Sequence, residues 1–141
     1  MTTTAPTLSL ATRFRWPVAV GAGGAAAFIA LRLRDPHVGG SWGFCPFQQM
    51  TGLPCPGCGG LRAVNDLTHG NVVAAVSSNA LVVALVAVLI VAWLAWMVRT
   101  ALRTDAGPMI QLGHRTGIAV IALIAMFGVV RNLPFGAWLA P

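Results

Sequence analysis

The chain has 141 residues, of which 57% are hydrophobic and only 9% charged. A soluble domain carries about 25% charged residues, so the composition excludes an ordinary water-soluble globule, and the mean hydropathy of +0.78 excludes a disordered chain. The formal net charge of +6 comes from nine basic residues, all arginine, against three acidic residues, all aspartate. These arginines stand singly or in pairs at the ends of apolar runs, as a bilayer requires, and not in the basic patch that nucleic acid needs. The expectation is a single all-α integral membrane domain over residues 1–141, with residues 1–12 as a disordered tail and the lipid bilayer as its first partner.

The first apolar segment, residues 16–33, lies between Arg13 and Arg15 on one side and Arg32 and Arg34 on the other. At 1.5 Å per residue it is close to the minimum length for a span. Gly21, Gly23 and Gly24 with Ala25, Ala26 and Ala27 give it a smooth face for close helix packing within the chain, or for self-association. A basic start and an apolar run also describe a cleaved signal peptide, but glycines interrupt this run and it continues past the small residues, so it reads as a retained span.

Residues 35–70 differ in composition and form the cysteine-containing loop. Between Gly39 and Gly60 lie seven of the sixteen glycines, three prolines and all three cysteines. A short interfacial helix is expected over about 61–69, closed by Gly70. It places Arg62, Asp66 and His69 on one face. An ordinary ion pair beside a histidine accounts for those three as well as a functional site does. A second interfacial helix is expected over about 71–78, ended by the polar break Ser77-Ser78-Asn79, whose side chains cap helices. The second span then covers 80–98, with Trp93 and Trp96 as an aromatic belt and Arg99 and Arg103 as anchors. Gly107-Pro108 marks a turn, and the third span runs from about 113 to 133, stopped by Pro134, with Arg131 in its last turn.

Three spans put the termini on opposite sides. Arg13, Arg15, Arg99, Arg103 and Arg115 fall on one side, and Arg32, Arg34, Arg62 and Arg131 on the other. This count of five against four leans towards a cytoplasmic N-terminus and an extracytoplasmic cysteine loop in the cell membrane.

The cysteines allow three readings. Cys55-Pro56-Gly57-Cys58-Gly59 has the form of a metal knuckle, in which two thiolates at a two-residue spacing grip one ion and the glycines let backbone N–H groups turn towards sulfur. Tetrahedral zinc needs four ligands, which Cys45, Cys55, Cys58 and a histidine would supply. His69 is preferred over His37 because a helix fixes its position, and Arg62 would offset the thiolate charge. A C-x-x-C at a helix start is also a thiol–disulfide site, with Cys55 and Cys58 as the pair and Cys45 resolving. A structural disulfide is the third reading, against which the odd cysteine count speaks. Asp66 is expected to pair with Arg62 or with Arg131. Trp42, Phe44 and Phe47 are expected to seat the loop against the bilayer or the spans. The chain has no Ser/His/Asp set or phosphate-binding glycine loop. With three aspartates and no glutamate, acid–base catalysis has little material. A non-catalytic membrane protein with a metal-organised loop, acting on another membrane protein or on a second copy, is therefore the first expectation, and a membrane redox protein the alternative.

Cys45-Pro46, Thr51-Gly52, Cys55-Pro56-Gly57-Cys58-Gly59, Arg62-Ala63, the His69-Gly70-Asn71 turn and Asn79 carry a resemblance. They resemble the bacterial membrane family called domain of unknown function 2752, whose signature reads C-P-x-x-x-x-T-G-x-x-C-P-G-C-G-x-x-R-A with a following asparagine-proline-leucine. The resemblance covers residues 45–81, and Arg131-Asn132-Leu133-Pro134 also fits it. The chain departs from the pattern at Asn71, where the family often has an acidic residue, and at Ala80, where proline usually follows the asparagine. The resemblance implies no activity. It does imply that the three cysteines and Arg62 act as one unit.

Overall fold

The computed structural model describes residues 10–102 and 113–139, whose regular elements are helices with no strand among the described residues. In chain order the elements are α1 (Leu10–Leu33), α2 (Pro46–Thr51), α3 (Gly60–Thr68), α4 (Val72–Ala101) and α5 (His114–Val130), followed by a 3₁₀ helix over Pro134–Leu139. Of the expected features, tail residues 1–9, Arg103 and the Gly107-Pro108 turn lie outside the described residues.

Two helices, α1 and α4, are long and apolar enough to cross a membrane, with mean hydropathies of 1.4 and 2.9 over their most apolar stretches. Val88, Leu89 and Val91 of α4 are exposed, as are Val18, Val20 and Ile29 of α1. A specific contact joins the two helices. Pro17 lies inside α1 and is buried. The indole N–H of Trp93 donates to the Pro17 carbonyl at 2.9 Å. Gly21, one turn on, lies under the Trp93 ring, and a Cβ there would come within 2.6 Å of Trp93 Cζ2. Gly23 and Gly24 meet nothing within 4 Å. Of the three glycines of the small-residue face, Gly21 is thus the one used against α4.

The third long segment is shorter than the sequence suggests. Its helix, α5, has 17 residues, or about 25 Å of rise, against a hydrocarbon core of about 30 Å. It stops at Val130 because Arg131 and Asn132 turn into the cysteine loop and Pro134 opens a 3₁₀ helix. The expected helix over 113–133 is corrected to His114–Val130 for that reason.

The expected break near Ser77-Ser78-Asn79 is present. Asn79 has extended backbone angles (φ −168°, ψ 96°) within α4, so residues 72–78 and 80–101 are two helices meeting at a kink. Each half carries its own asparagine cap: Asn71 Oδ1 accepts from the Ala74 N–H at 3.1 Å, and Asn79 Oδ1 accepts from the Val82 N–H at 3.0 Å. The short α3 fills the corner beside this kink. Asn65 is buried and donates through Nδ2 to the Leu31 carbonyl at 2.7 Å, which satisfies an end of α1, and the Arg32 guanidinium reaches back to the Thr68 carbonyl. At its other end, Gly60 lets α3 press against α4, since a Cβ there would stand 3.1 Å from Val82 Cγ2.

Candidate metal centre

Residues 34–45 approach the site as a folded loop. Ser41 Oγ donates to the Asp35 carbonyl at 2.8 Å, and the Trp42 indole N–H to the Arg34 carbonyl at 2.7 Å. The Asp35 carboxyl accepts from the backbone N–H of His37 and pairs with its ring Nδ1, both at 2.8 Å. The His37 backbone N–H, then its ring, holds this carboxyl below the usual carboxylate range. The loop leads into α2, an element the sequence reading missed. Pro46 stands in its first turn and Gly52 follows it in the left-handed region at φ 73°. Proline at the start and glycine just past the end are the signals that could have found it.

α2 presents Cys45 at its N-terminus, and the knuckle presents Cys55 and Cys58. The three sulfurs lie within 4.8 Å of one another. Cys55 Sγ is 2.8 Å from Cys58 Sγ and 3.4 Å from Cys45 Sγ. All three are free thiols. The backbone N–H of Cys55 donates to Cys58 Sγ at 3.2 Å. The environments of the three thiols differ. The Gln48 backbone N–H in the first turn of α2, together with the neighbouring thiols, holds Cys45 below the ordinary thiol value. Burial, with its thiol neighbours adding to the effect, pushes Cys58 up to about 12.

The knuckle's carbonyls face away from the sulfurs and into a polar clasp formed by three side chains from distant parts of the chain. Arg131, only 1% exposed, donates through Nη1 to the carbonyls of Cys55 (2.9 Å), Pro56 (3.4 Å) and Cys58 (3.0 Å), and through Nη2 to Leu139 (2.8 Å). Asn79, fully buried at the kink, donates to the Pro56 and Cys58 carbonyls at 2.9 and 3.0 Å. Asn132 donates to the Pro54 carbonyl at 3.0 Å. Pro56 itself packs on Gly128 of α5, where a Cβ would come within 2.8 Å of Pro56 Cγ. Thus α4 and α5 hold the knuckle by its backbone, and the thiols are left for other chemistry.

The remaining expected site residues are placed differently. Arg62 and Asp66 do share a face of α3, but that face docks the segment 35–37. Arg62 Nε donates to the Pro36 carbonyl at 3.4 Å, and Asp66 Oδ1 stands 3.5 Å from His37 Nε2 while Oδ2 accepts from Ser78 Oγ at 3.0 Å. The expected pairing of Asp66 with Arg62 or Arg131 is therefore corrected. His37 and Ser78 take the carboxylate, and Arg131 is committed to backbone carbonyls. His69 is not part of the thiol cluster. It stands just past α3, exposed, with Nδ1 2.9 Å from the Asn65 carbonyl. The role of Asn79 and Asn132 was not foreseen. The asparagine cap at the kink was readable, whereas its second use, on the knuckle carbonyls, was not.

The cluster opens on a cleft of about 660 Å³. Phe44 and Phe47, beside it, are 72% and 49% exposed, so they do not seat the loop against the helices. Comparison with curated proteins and with solved structures found no match. Residues 45–93, from the first cysteine to the tryptophan that holds α1, match the family model described as Protein of unknown function (DUF2752), the family the cysteine signature resembles.

Proposed function

We propose that this chain is a multi-pass membrane protein whose cysteine loop is a metal-binding module with Cys45, Cys55 and Cys58 as ligands. The observation that carries the reading is the meeting of three thiols within 4.8 Å, on a backbone held by buried groups that do not compete for the metal. Three thiolates select a soft or borderline ion, and zinc is the ion of this class that needs no redox partner. Binding would organise the loop as a surface for a partner in the membrane, with the exposed Phe44, Phe47 and Met50 at the lipid interface. α5 then completes a third crossing together with the turn that follows it, and the arginine distribution favours an extracytoplasmic loop.

Metal analysis of the purified full chain tests the reading. About one zinc per chain is expected, and Cys58→Ser should lose both the ion and thermal stability. If zinc and iron are both substoichiometric and Cys58→Ser leaves stability unchanged, the reading is wrong. Labelling the cysteines in intact cells with a membrane-impermeant thiol reagent, after chelator treatment, tests the side of the loop. Reaction is expected, and protection in intact but not lysed cells would place the loop inside.

A further inference from the structure

The centre has three ligands where a tetrahedral ion takes four, and among the described residues the thiol cluster includes no fourth histidine, cysteine or carboxylate. The two histidines that the sequence offered are engaged elsewhere. His37 bridges Asp35 and Asp66, and His69 rests on the Asn65 carbonyl. Closed structural zinc sites supply all four ligands from the protein, and an open position is the mark of a site that binds something else. The surroundings agree. The 660 Å³ cleft is lined by all three cysteines, by Gln48 and Gln49, and by Arg62. Gln48 Oε1 lies 3.9 Å from Cys58 Sγ, so a polar group already stands at the sulfur face.

Charge narrows the class of ligand. A divalent ion on three thiolates carries a net charge of −1. The buried Arg131, bonded to the carbonyls of Cys55 and Cys58, supplies +1. The core of the site is then neutral. Arg62 remains as a second cation on the cleft wall, half-buried and held only through Nε at 3.4 Å to the Pro36 carbonyl. This is the balance required by one further anionic, sulfur-compatible donor.

We propose that the fourth position of the metal centre takes an exogenous small thiol, bound as the thiolate through the cleft and balanced by Arg62. The step is a ligand substitution: a water leaves the ion, the thiol gives its proton to solvent, and a metal–sulfur bond forms with no change in oxidation state. It rests on the metal reading above, and the experiment separates the two.

The full chain, purified in detergent with a phosphine reductant so that no small thiol is present, is loaded with Co(II) and titrated with 2-mercaptoethanol. Co(II) should give the charge-transfer band of three thiolates, and the added thiol should shift it saturably towards the four-thiolate spectrum. Arg62→Gln should fold and bind Co(II) as the parent does, but weaken the thiol titration by about fivefold, the loss expected for one partly exposed charge pair. A Co(II) spectrum that the thiol leaves unchanged, or one already showing four protein ligands, overturns the open position while leaving the metal reading intact. Failure to bind Co(II) at all overturns both. An unchanged titration in Arg62→Gln removes Arg62 from the assignment.

Discussion

The two long helices and the cysteine corner divide the chemistry of the chain between them. Along the middle of α1 and α4 exposed side chains such as Val18, Val20, Ile29, Val88, Leu89 and Val91 are apolar, and the Trp93 indole on the Pro17 carbonyl is a specific polar contact joining the two helices. At the corner, by contrast, four polar side chains are buried, Asn65, Asp66, Asn79 and Arg131, beside Cys58, Ala63 and Ala75. The difference follows from where backbone hydrogen bonds are made. A helix satisfies its own peptide groups, so long apolar stretches need no polar help. A knuckle turn satisfies few of its own, so its carbonyls require donors brought from elsewhere. Arg131, Asn79 and Asn132 are those donors, and this is why scarce polar residues collect at one place in so apolar a chain.

The contrast can be broken first at its centre. Arg131→Met would take the guanidinium away from the carbonyls of Cys55, Pro56, Cys58 and Leu139, leaving Pro56 and Cys58 with Asn79 alone and Cys55 with the Cys58 N–H, at a cost of about 3–5 kcal/mol. Thermal denaturation in detergent is expected to show this as the largest single-residue loss, accompanied by loss of bound metal. A change no larger than at an exposed arginine such as Arg13 would refute the clasp. Asn79→Ala removes a helix cap and two bonds to the knuckle, and about 2–3 kcal/mol is expected. Asn71→Ala, which removes only a cap, should cost about 1 kcal/mol. Equal losses at the two asparagines would show that the knuckle contacts contribute nothing.

Packing gives the next effect. Gly128→Ala forces a methyl to within 2.8 Å of Pro56 Cγ and should cost about 1–3 kcal/mol, whereas Gly117→Ala, which meets nothing within 4 Å, should be neutral or slightly stabilising. In the apolar region the expected effect is the smallest. Trp93→Phe loses the indole bond to Pro17, worth about 0.6 kcal/mol in a membrane setting. A loss as large as that of Arg131→Met would erase the distinction between the two regions.

The thiols themselves sharpen the picture without mutation. In the metal-free protein, Cys45 is held below the ordinary thiol value and Cys58 is pushed up to about 12. Since the thiolate is the reactive form, mass-resolved alkylation should modify Cys45 first. Cys58 should be modified last and only in strong alkali. Simultaneous modification of both near neutral pH would contradict the assigned environments.

The long helices were legible in the sequence because long apolar runs leave a strong compositional mark. The Asn79 break was legible too, because capping chemistry is local. α2 was passed over although Pro46 and Gly52 bracket it, since a glycine- and proline-rich stretch reads as loop before it reads as helix. The end of α5 was misjudged at Arg131. An arginine closing an apolar run is ordinarily a headgroup anchor, and nothing local shows that it turns back to bond backbone carbonyls more than seventy residues away. The cysteine set was found by spacing. The replacement of Arg131 by His37 as the partner of Asp66, and the position of His69 outside the cluster, depend on tertiary placement that spacing does not encode.

The most direct measurement is the X-ray absorption fine structure of the purified protein at the edge of its bound metal. It should show three or four sulfur neighbours at about 2.3 Å, falling by one in Cys45→Ser. No bound metal, or a first shell without sulfur, would contradict the assignment of Cys45, Cys55 and Cys58 as a metal centre.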